Sequence, residues 1–222
     1  MFKSKYSNFL TIVLVIAIIA IVIIASVLGV NAYKKHSNSK AASNAISRFD
    51  ADREEEKQNE NNTKGESLVE QEVVEKSQNQ SSSGTRKVTY YENFVMIGHI
   101  EIPKINLKYP ILEEETVKSL EKSVAVRYPM DAKLNTVGNV VIVGHNYRNG
   151  MFFSNLKKVA IGDKVKITDI NGQTLVYTVY EKYETTPEDV EYITRDVGEN
   201  IEVTLVTCTD DSSARIVLKA KV

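Results

Sequence analysis

Hydrophobic and polar residues divide the 222-residue chain into three zones. After a short flank at residues 1–8, residues 9–30 form a nearly continuous apolar run, and residues 31–87 are mostly Asn, Gln, Ser, Glu and Lys. From residue 88 to residue 222, short apolar runs alternate with turn signals. This pattern predicts a membrane anchor, a polar tether and a folded domain of roughly 130 residues.

The apolar run is long enough to span a bilayer. As a helix, its 22 residues would reach roughly 33 Å, and a hydrocarbon core is about 30 Å thick. Because the apolar region of a signal peptide usually has only about 7–15 residues, an uncleaved single-pass anchor is expected. Cleavage after residues 30–32 is the alternative. Lysines flank both ends and do not decide the orientation: Lys3, Lys5, Lys34, Lys35 and Lys40.

Residues 31–87 have few large apolar side chains, so they cannot bury enough surface to offset the loss of chain entropy. The composition predicts a largely disordered tether, within which residues 41–60 could form a solvated helix that packs on nothing. About 50 residues of flexible coil would have an r.m.s. span of roughly 40 Å. Such a segment would hold a domain off the bilayer, although a tail without a role fits the composition equally well.

The folded domain is predicted to be mainly β. Its predicted strands are residues 96–102, 107–112, 139–145, 164–168, 174–183, 203–209 and 216–218. Asn171-Gly172 is a strong hairpin signal. Short helices are predicted at residues 117–124 and from residue 186, where Pro187 would lie in the first turn. About eight strands at this spacing predict a closed barrel, which leaves no exposed edge.

Composition limits the chemistry that the domain can perform. The net charge of −1 shows no basic surplus for nucleic acid. The single cysteine, Cys208, excludes a disulfide framework and a four-ligand zinc site. Cys208 ends one predicted strand and Arg215 opens the next, so the two can meet across a short turn. A lone cysteine is more often a buried packing residue, and these observations leave both interpretations open.

The three histidines differ in their setting. His36 lies in the predicted tether, and His99 lies within the first predicted strand, where an outward or packed structural residue is expected. His145 follows a buried strand and a glycine, where side chains emerge at the rim of a barrel. His145 is therefore the candidate for a catalytic role.

These segments resemble the sortases, the membrane-anchored cysteine transpeptidases of Gram-positive bacteria. The resemblance rests on T-L-V-T-C at residues 204–208, Arg215, and V-G-H at residues 143–145, and it extends to residues 98–105 and 153–163. It covers about residues 90–222. It implies an eight-stranded sortase-type β-barrel with one or two short helices. It also implies a cytoplasmic N-terminus and an extracellular catalytic domain at the cell membrane.

The resemblance also implies the chemistry. Cys208 would be the nucleophile, His145 the general acid and base, and Arg215 the donor to substrate or oxyanion. Thr207 and Val206 would contact the substrate. The reaction would cleave an LPxTG-like sorting motif of a secreted protein through a thioacyl intermediate, and would pass the acyl group to an amine of a cell-wall precursor. A pilin lysine is the alternative acceptor.

The sub-class follows from spacing and from missing motifs. The 63 residues from His145 to Cys208 leave no room for the long extra helix of class B, and no Asp-Pro-aromatic lid motif of class C is present. A class A or D type is therefore favoured. The turn at residues 209–214 is short and unusually acidic, which departs from the family pattern.

No cofactor is expected. Calcium, bound by some class A members, could use Glu188, Asp189 or Glu191, although acids at a helix start are more often caps.

The rival hypothesis from another functional class is a catalytically silent, membrane-tethered barrel that binds a wall component, with Cys208 as a packing residue. L,D-transpeptidases and papain-like proteases have a different order or spacing of cysteine and histidine.

Overall fold

The computed structural model describes residues 5–66, 87–128 and 133–222. The chain divides into two units, Met1–Lys40 and Ala41–Val222. The described part of the first unit is helical, and the side chains of residues 9–30 are exposed. In the described chain, one helix is long and apolar enough by length and composition to cross a membrane. This finding is consistent with the predicted anchor.

The second unit is built mainly of strands. In chain order the elements are helix α1 (Lys5–Glu66, shared with the first unit), β1 (Thr89–Tyr91), β2 (Phe94–Ile102), a 3-10 helix (Pro103–Ile105), β3 (Leu107–Leu112), α2 (Val117–Leu120), β4 (Val124–Tyr128), β5 (Gly138–Val143), a 3-10 helix (Phe153–Lys158), β6 (Lys164–Asp169), β7 (Thr174–Thr185), α3 (Glu191–Thr194), β8 (Ile201–Cys208) and β9 (Arg215–Lys221).

Eight of these strands close on themselves. The neighbours run β2-β3-β4-β5-β8-β9-β7-β6, and β6 pairs back onto β2. Two neighbouring pairs, β3–β4 and β5–β8, are parallel, and the other pairs in the ring are antiparallel. Strand β1 pairs with the start of β2 and lies outside the ring. The predicted closed eight-stranded barrel is therefore confirmed. Closure pairs strand edges that an open sheet would expose.

The most apolar strands are covered on both faces. On β5, Val140 and Ile142 belong to the barrel interior, whereas Val141 and Val143 belong to a separate outer cluster. Strand β8 alternates in the same way. Tyr192 of α3 joins the outer cluster. A parallel pair buried on both faces has continuous apolar runs, which explains the sequence of β5 and β8.

Residues 31–66 of the predicted tether are helical, which includes the helix considered for residues 41–60. The expectation that this helix packs on nothing is wrong. Within the second unit, one face of α1 is fully buried and belongs to the same core as the barrel: Ala42, Ala45, Ile46 and Phe49. These residues recur at a spacing of three or four, which places them on one side of a helix. The average composition hides this narrow stripe. Residues 67–86 of the predicted tether lie outside the described part.

Polar contacts accompany this packing. The Asp50 carboxylate lies 3.0 Å from His99 Nε2 on β2, and the Phe49 ring meets the His99 ring edge-on. The buried Arg53 guanidinium donates to the Lys87 carbonyl. His99 is therefore a packed residue of the contact between helix and barrel, in agreement with the structural interpretation.

The helix predicted at residues 117–124 is only half as long. Thr116 caps it, because its hydroxyl accepts from the Ser119 N–H at 3.0 Å and its own N–H donates to Ser119 Oγ at 2.8 Å. The helix ends at Leu120, and Val124 already begins β4. The β-branched run that starts there pairs with β5, and this tertiary contact outweighs the local helical pattern.

Replacing Phe49 with Ala tests the packing of α1. We expect Phe49→Ala to lower the free energy of unfolding by roughly 3 kcal/mol, because it removes a fully buried aromatic side chain. This value is at the low end for such a residue, since the helix can leave the barrel before the barrel unfolds. Urea titration followed by circular dichroism measures this change. Arg48→Ala on the exposed face is the matched control, and equal effects of the two substitutions would contradict the packing.

The pH dependence of stability tests the His99 contact. Burial lowers the pKa of His99, partly offset by Asp50 and Glu101 and reinforced by Lys108. A depressed native pKa means that this contribution to stability is complete above the ordinary value of about 6.5 and is lost as the pH falls below it. We expect the wild type to lose more unfolding free energy between pH 7.5 and pH 5 than His99→Gln. Parallel losses in urea titrations would refute this expectation.

Candidate active site

The parallel pairing of β5 and β8 brings two distant segments to one end of the barrel. Val143 is in register with Val206, and the Gly144 N–H donates to the Val206 carbonyl at 3.2 Å. One residue further along, His145 lies beside Cys208. Side chains alternate along a strand, so Cys208 follows the outward direction of Val206 on β8, and His145, two residues beyond the end of β5, lines the same cavity.

The third predicted residue joins them from the other side. Cys208 is the register partner of Arg215 on β9, and both side chains are half-buried. Arg215 Nη1 donates to the Ala214 carbonyl at 3.2 Å, which uses one donor of a guanidinium that has several. The structure therefore brings Cys208, His145 and Arg215 together on three neighbouring strand ends.

The Thr207 hydroxyl has a partner within the protein. Its buried hydroxyl donates to the Gly144 carbonyl at 2.7 Å, so it fastens β8 to the end of β5. Gly144 itself has no room for a side chain, because a Cβ there would lie 2.8 Å from Val124 Cγ1 and 2.9 Å from Phe153 Cδ2. The Thr207 hydroxyl thus already donates its hydrogen bond within the protein, although the residue lines the site.

These residues line an open cavity of about 240 Å³. Its lining comprises Glu115, Leu120, Arg127, Val143, Gly144, His145, Val206, Thr207, Cys208 and Arg215. Val206 is buried in the outer cluster and forms part of the apolar floor beside Cys208. The cavity is therefore an apolar groove with charged groups along it.

Sequence reasoning missed an ion pair in this groove. Arg127 Nε lies 3.4 Å from Glu115 Oε2, and both side chains are half-buried. Arg127 lies on β4, a strand that the sequence prediction left unassigned. The short apolar run at residues 124–126 was the available signal for a strand here.

A buried tyrosine lies near both arginines. Burial raises the pKa of the Tyr192 phenol, and the Arg127 and Arg215 guanidiniums oppose this rise. Two guanidiniums therefore line the groove with Cys208, and one of them, Arg127, is paired with Glu115.

Aromatic rings flank the candidate general acid. The His145 and Tyr147 ring centroids lie 5.0 Å apart, and Tyr147 lies 5.7 Å from the ring of Phe152. Phe152 is buried, so the series of rings connects His145 to the core. This packing restricts the orientation of the imidazole.

The calcium candidates lie at the start of α3, which begins at Glu191 rather than near residue 186. Asp189 accepts from the Thr185 hydroxyl and from the Glu191 N–H, and these bonds hold the pKa of its carboxyl below the ordinary value. Across the described residues, no group of three or more His, Cys, Asp or Glu side chains is arranged to hold a metal ion. Asp189 thus shapes the turn that precedes α3.

The model of the sortase domain family matches residues 100–222. This match covers more than half of the chain, and the chain therefore belongs to the sortase family. The segments that carry the resemblance, including Cys208, His145 and Arg215, lie in or beside the matched range.

Named relatives agree with this family. A sortase A of Bacillus anthracis is 35% identical over 129 residues, and one of Streptococcus agalactiae serotype III is 31% identical over 143 residues. These alignments cover 55% and 60% of this chain and 58% and 55% of the relatives. The chain thus spans little more than half the length of the curated relatives it matches.

A solved structure shares the fold. The sortase D5 transpeptidase of Clostridium perfringens aligns with a TM-score of 0.52 and 30% identity, over 57% of this chain and 78% of that structure.

Removing the Thr207 hydroxyl tests its place in the site. We expect Thr207→Val to lower the free energy of unfolding by roughly 1–3 kcal/mol, because the buried Gly144 carbonyl loses its donor. Thr207→Ser keeps the hydroxyl and is the matched control in the same urea titration. If Thr207→Ser is as unstable as Thr207→Val, the bond contributes nothing.

Proposed function

We propose that the chain is a cysteine transpeptidase that cleaves an LPxTG-like sorting motif and transfers the acyl group to an amine. The observation that carries the proposal is the placement of Cys208 between His145 and Arg215 on adjacent strand ends. Family membership supports the same activity.

In the first half-reaction, the Cys208 thiolate adds to the carbonyl carbon of the motif threonine. The Arg215 guanidinium donates hydrogen bonds to the oxyanion that forms. Collapse of this intermediate breaks the C–N bond after threonine, and the leaving amine takes a proton from the His145 imidazolium. The product is a thioester on Cys208 and a free C-terminal peptide.

In the second half-reaction, an acceptor amine attacks the thioester carbonyl and passes its proton to the neutral His145 imidazole. The C–S bond breaks, Cys208 leaves as a thiolate, and a new amide forms. The imidazolium is regenerated for the next turnover. This sequence transfers the acyl group without a cofactor.

The groove suggests how the motif is held. Its apolar part, formed by Leu120, Val143 and Val206, suits the leucine and proline of the motif, whereas Glu115 and Arg127 offer a charged wall. We favour a class A or D type, with an amine of a cell-wall precursor as acceptor. A pilin lysine is the alternative acceptor, and adding both amines in competition separates the two.

The domain acts at a membrane. The apolar part of α1 is long enough to span a bilayer, and we propose an uncleaved anchor with a cytoplasmic N-terminus and an external catalytic domain. This orientation places the thiol where secreted proteins and wall precursors are found.

Turnover of sorting peptides tests the proposal. We expect the full chain in detergent to cleave at least one peptide from a panel of LPxTG, NPxTx and related motifs, and we expect Cys208→Ala to abolish cleavage. His145→Ala and Arg215→Ala should lower kcat by about 10²–10⁴-fold, the typical contribution of such groups. Mass spectrometry detects the cleaved peptide and the thioester.

Thiol labelling separates an enzyme from a silent barrel. A nucleophilic Cys208 should react with a methanethiosulfonate reagent in the folded protein and lose all turnover, whereas a packed thiol should react only after unfolding. Full turnover by Cys208→Ala would exclude the mechanism.

A further inference from the structure

Asn146 follows His145 and connects two parts of the site. Its side-chain Nδ2 donates to the Cys208 carbonyl at 3.0 Å and to Asp210 Oδ1 at 3.0 Å. Its Oδ1 accepts from the Arg148 N–H at 3.1 Å. One amide therefore links the chain after the histidine to the backbone of the cysteine and to the turn beyond it.

This link begins where the backbone hydrogen bonds between β5 and β8 end and side-chain hydrogen bonds take their place. The Gly144 N–H donates to the Val206 carbonyl at 3.2 Å, and the Thr207 hydroxyl donates back to Gly144 at 2.7 Å. The amide of Asn146 then makes the next connection, to Cys208. It extends the pairing of β5 and β8 past the residues that carry the chemistry.

The turn between β8 and β9 is fastened at a second point. Lys157, in the 3-10 helix Phe153–Lys158, donates to Asp210. The hydrogen bonds from Lys157 and Asn146 hold the pKa of Asp210 below its ordinary value. The carboxylate of Asp210 is thus a common acceptor for two segments that follow His145.

The second acid of this turn is used within the turn. Asp211 accepts from the Thr209 hydroxyl at 2.6 Å and from the Ser213 hydroxyl at 2.7 Å. These bonds lower the pKa of Asp211 to about 2. Both acids therefore accept hydrogen bonds that hold the turn in shape.

We propose that Asn146 is a positioning residue of the transpeptidation site, which holds the Cys208 backbone in place relative to His145, with Asp210 and Lys157 fixing the turn behind it. This inference rests on the proposed function and adds a residue that touches neither substrate nor the reacting sulfur. Small displacements of a nucleophile from its base reduce the rate steeply, by about 10²-fold for 1 Å.

The first test removes the amide in the full chain in detergent. We expect Asn146→Ala to lower kcat for the best sorting peptide by about 10–100-fold with KM changed less than about twofold, because alignment rather than binding is lost. The melting temperature should fall by only a few degrees, measured by circular dichroism. Loss of kcat that disappears on cooling below the melting transition would indicate general destabilisation and refute the proposal.

A charge-exchange series tests the contact with Asp210. Asn146→Asp places a carboxylate against the Cys208 carbonyl and Asp210, so it should have the lowest kcat of the series. Asp210→Asn keeps an acceptor for Asn146 and loses the Lys157 ion pair, so its loss should be small. In the double variant, the amide introduced at position 210 can donate to the carboxylate introduced at position 146. The kcat of the double variant should recover at least threefold over Asn146→Asp, and no recovery would overturn the role of this contact.

Asn149 supplies a matched control in the same loop. Its side chain accepts from the Met151 N–H at 3.0 Å and donates to the Met151 sulfur at 3.4 Å, so it shapes the loop locally. Asn149→Ala should leave kcat within twofold of the wild type. A loss in Asn149→Ala equal to that in Asn146→Ala would show that loop shape alone matters.

A readout that needs no substrate distinguishes failure of the proposed transpeptidase function from failure of the positioning role of Asn146. The rate of Cys208 modification by iodoacetamide should fall at least threefold in Asn146→Ala and stay unchanged in Asn149→Ala. An inactive wild type whose Cys208 follows this pattern would refute the proposed function and retain the positioning role. An active wild type with equal modification and turnover rates in all variants would refute only the positioning role.

Discussion

The parallel pairing of β5 with β8 is the constraint on which the rest of the site depends. Two residues 63 positions apart in sequence, His145 and Cys208, become neighbours because their strands run in the same direction and end together. A parallel pair requires a long crossover, which here contains β6, β7 and α3. Barrel closure buries the inner face of the pair, α3 contributes Tyr192 to the cluster on its outer face, and the antiparallel neighbour β9 supplies Arg215.

The polar segment after the long apolar run belongs in part to the folded unit of the barrel. Residues 41–53 place four apolar side chains in the barrel core and a carboxylate beside His99. Burial depresses the pKa of His99, so this unit is expected to lose stability as the pH falls below the ordinary histidine pKa of about 6.5. A segment with the composition of a tether thus acts as a structural element of the folded unit.

The acidic turn beside Cys208 has a structural explanation. Negative charge next to a thiol opposes its ionisation, but Asp210 faces Lys157 and Asn146, and Asp211 faces hydroxyl groups of its own turn. Arg127 and Arg215 line the groove with Cys208. The carboxylates of the turn are therefore used in hydrogen bonds that shape it, which explains its acidic composition.

The sequence by itself determined the closed barrel, most of its strands and the apolar run suited to a membrane, because strand periodicity and apolar length are local signals. Its resemblance to a known family also named Cys208, His145 and Arg215 as candidates, which line one cavity in the structure. It extended the helix at residues 117–120 as far as residue 124, where β4 begins, and it predicted a tether for residues 31–66, which belong to helix α1. A short β-branched run and a narrow apolar stripe are ambiguous until a partner surface exists. Only the tertiary structure decided the contacts of Asn146, Glu115 with Arg127, and the Thr207 hydroxyl. Each of these contacts joins residues that are separated in the sequence and that only the pairing of strands brings together, so the local sequence pattern does not reveal it.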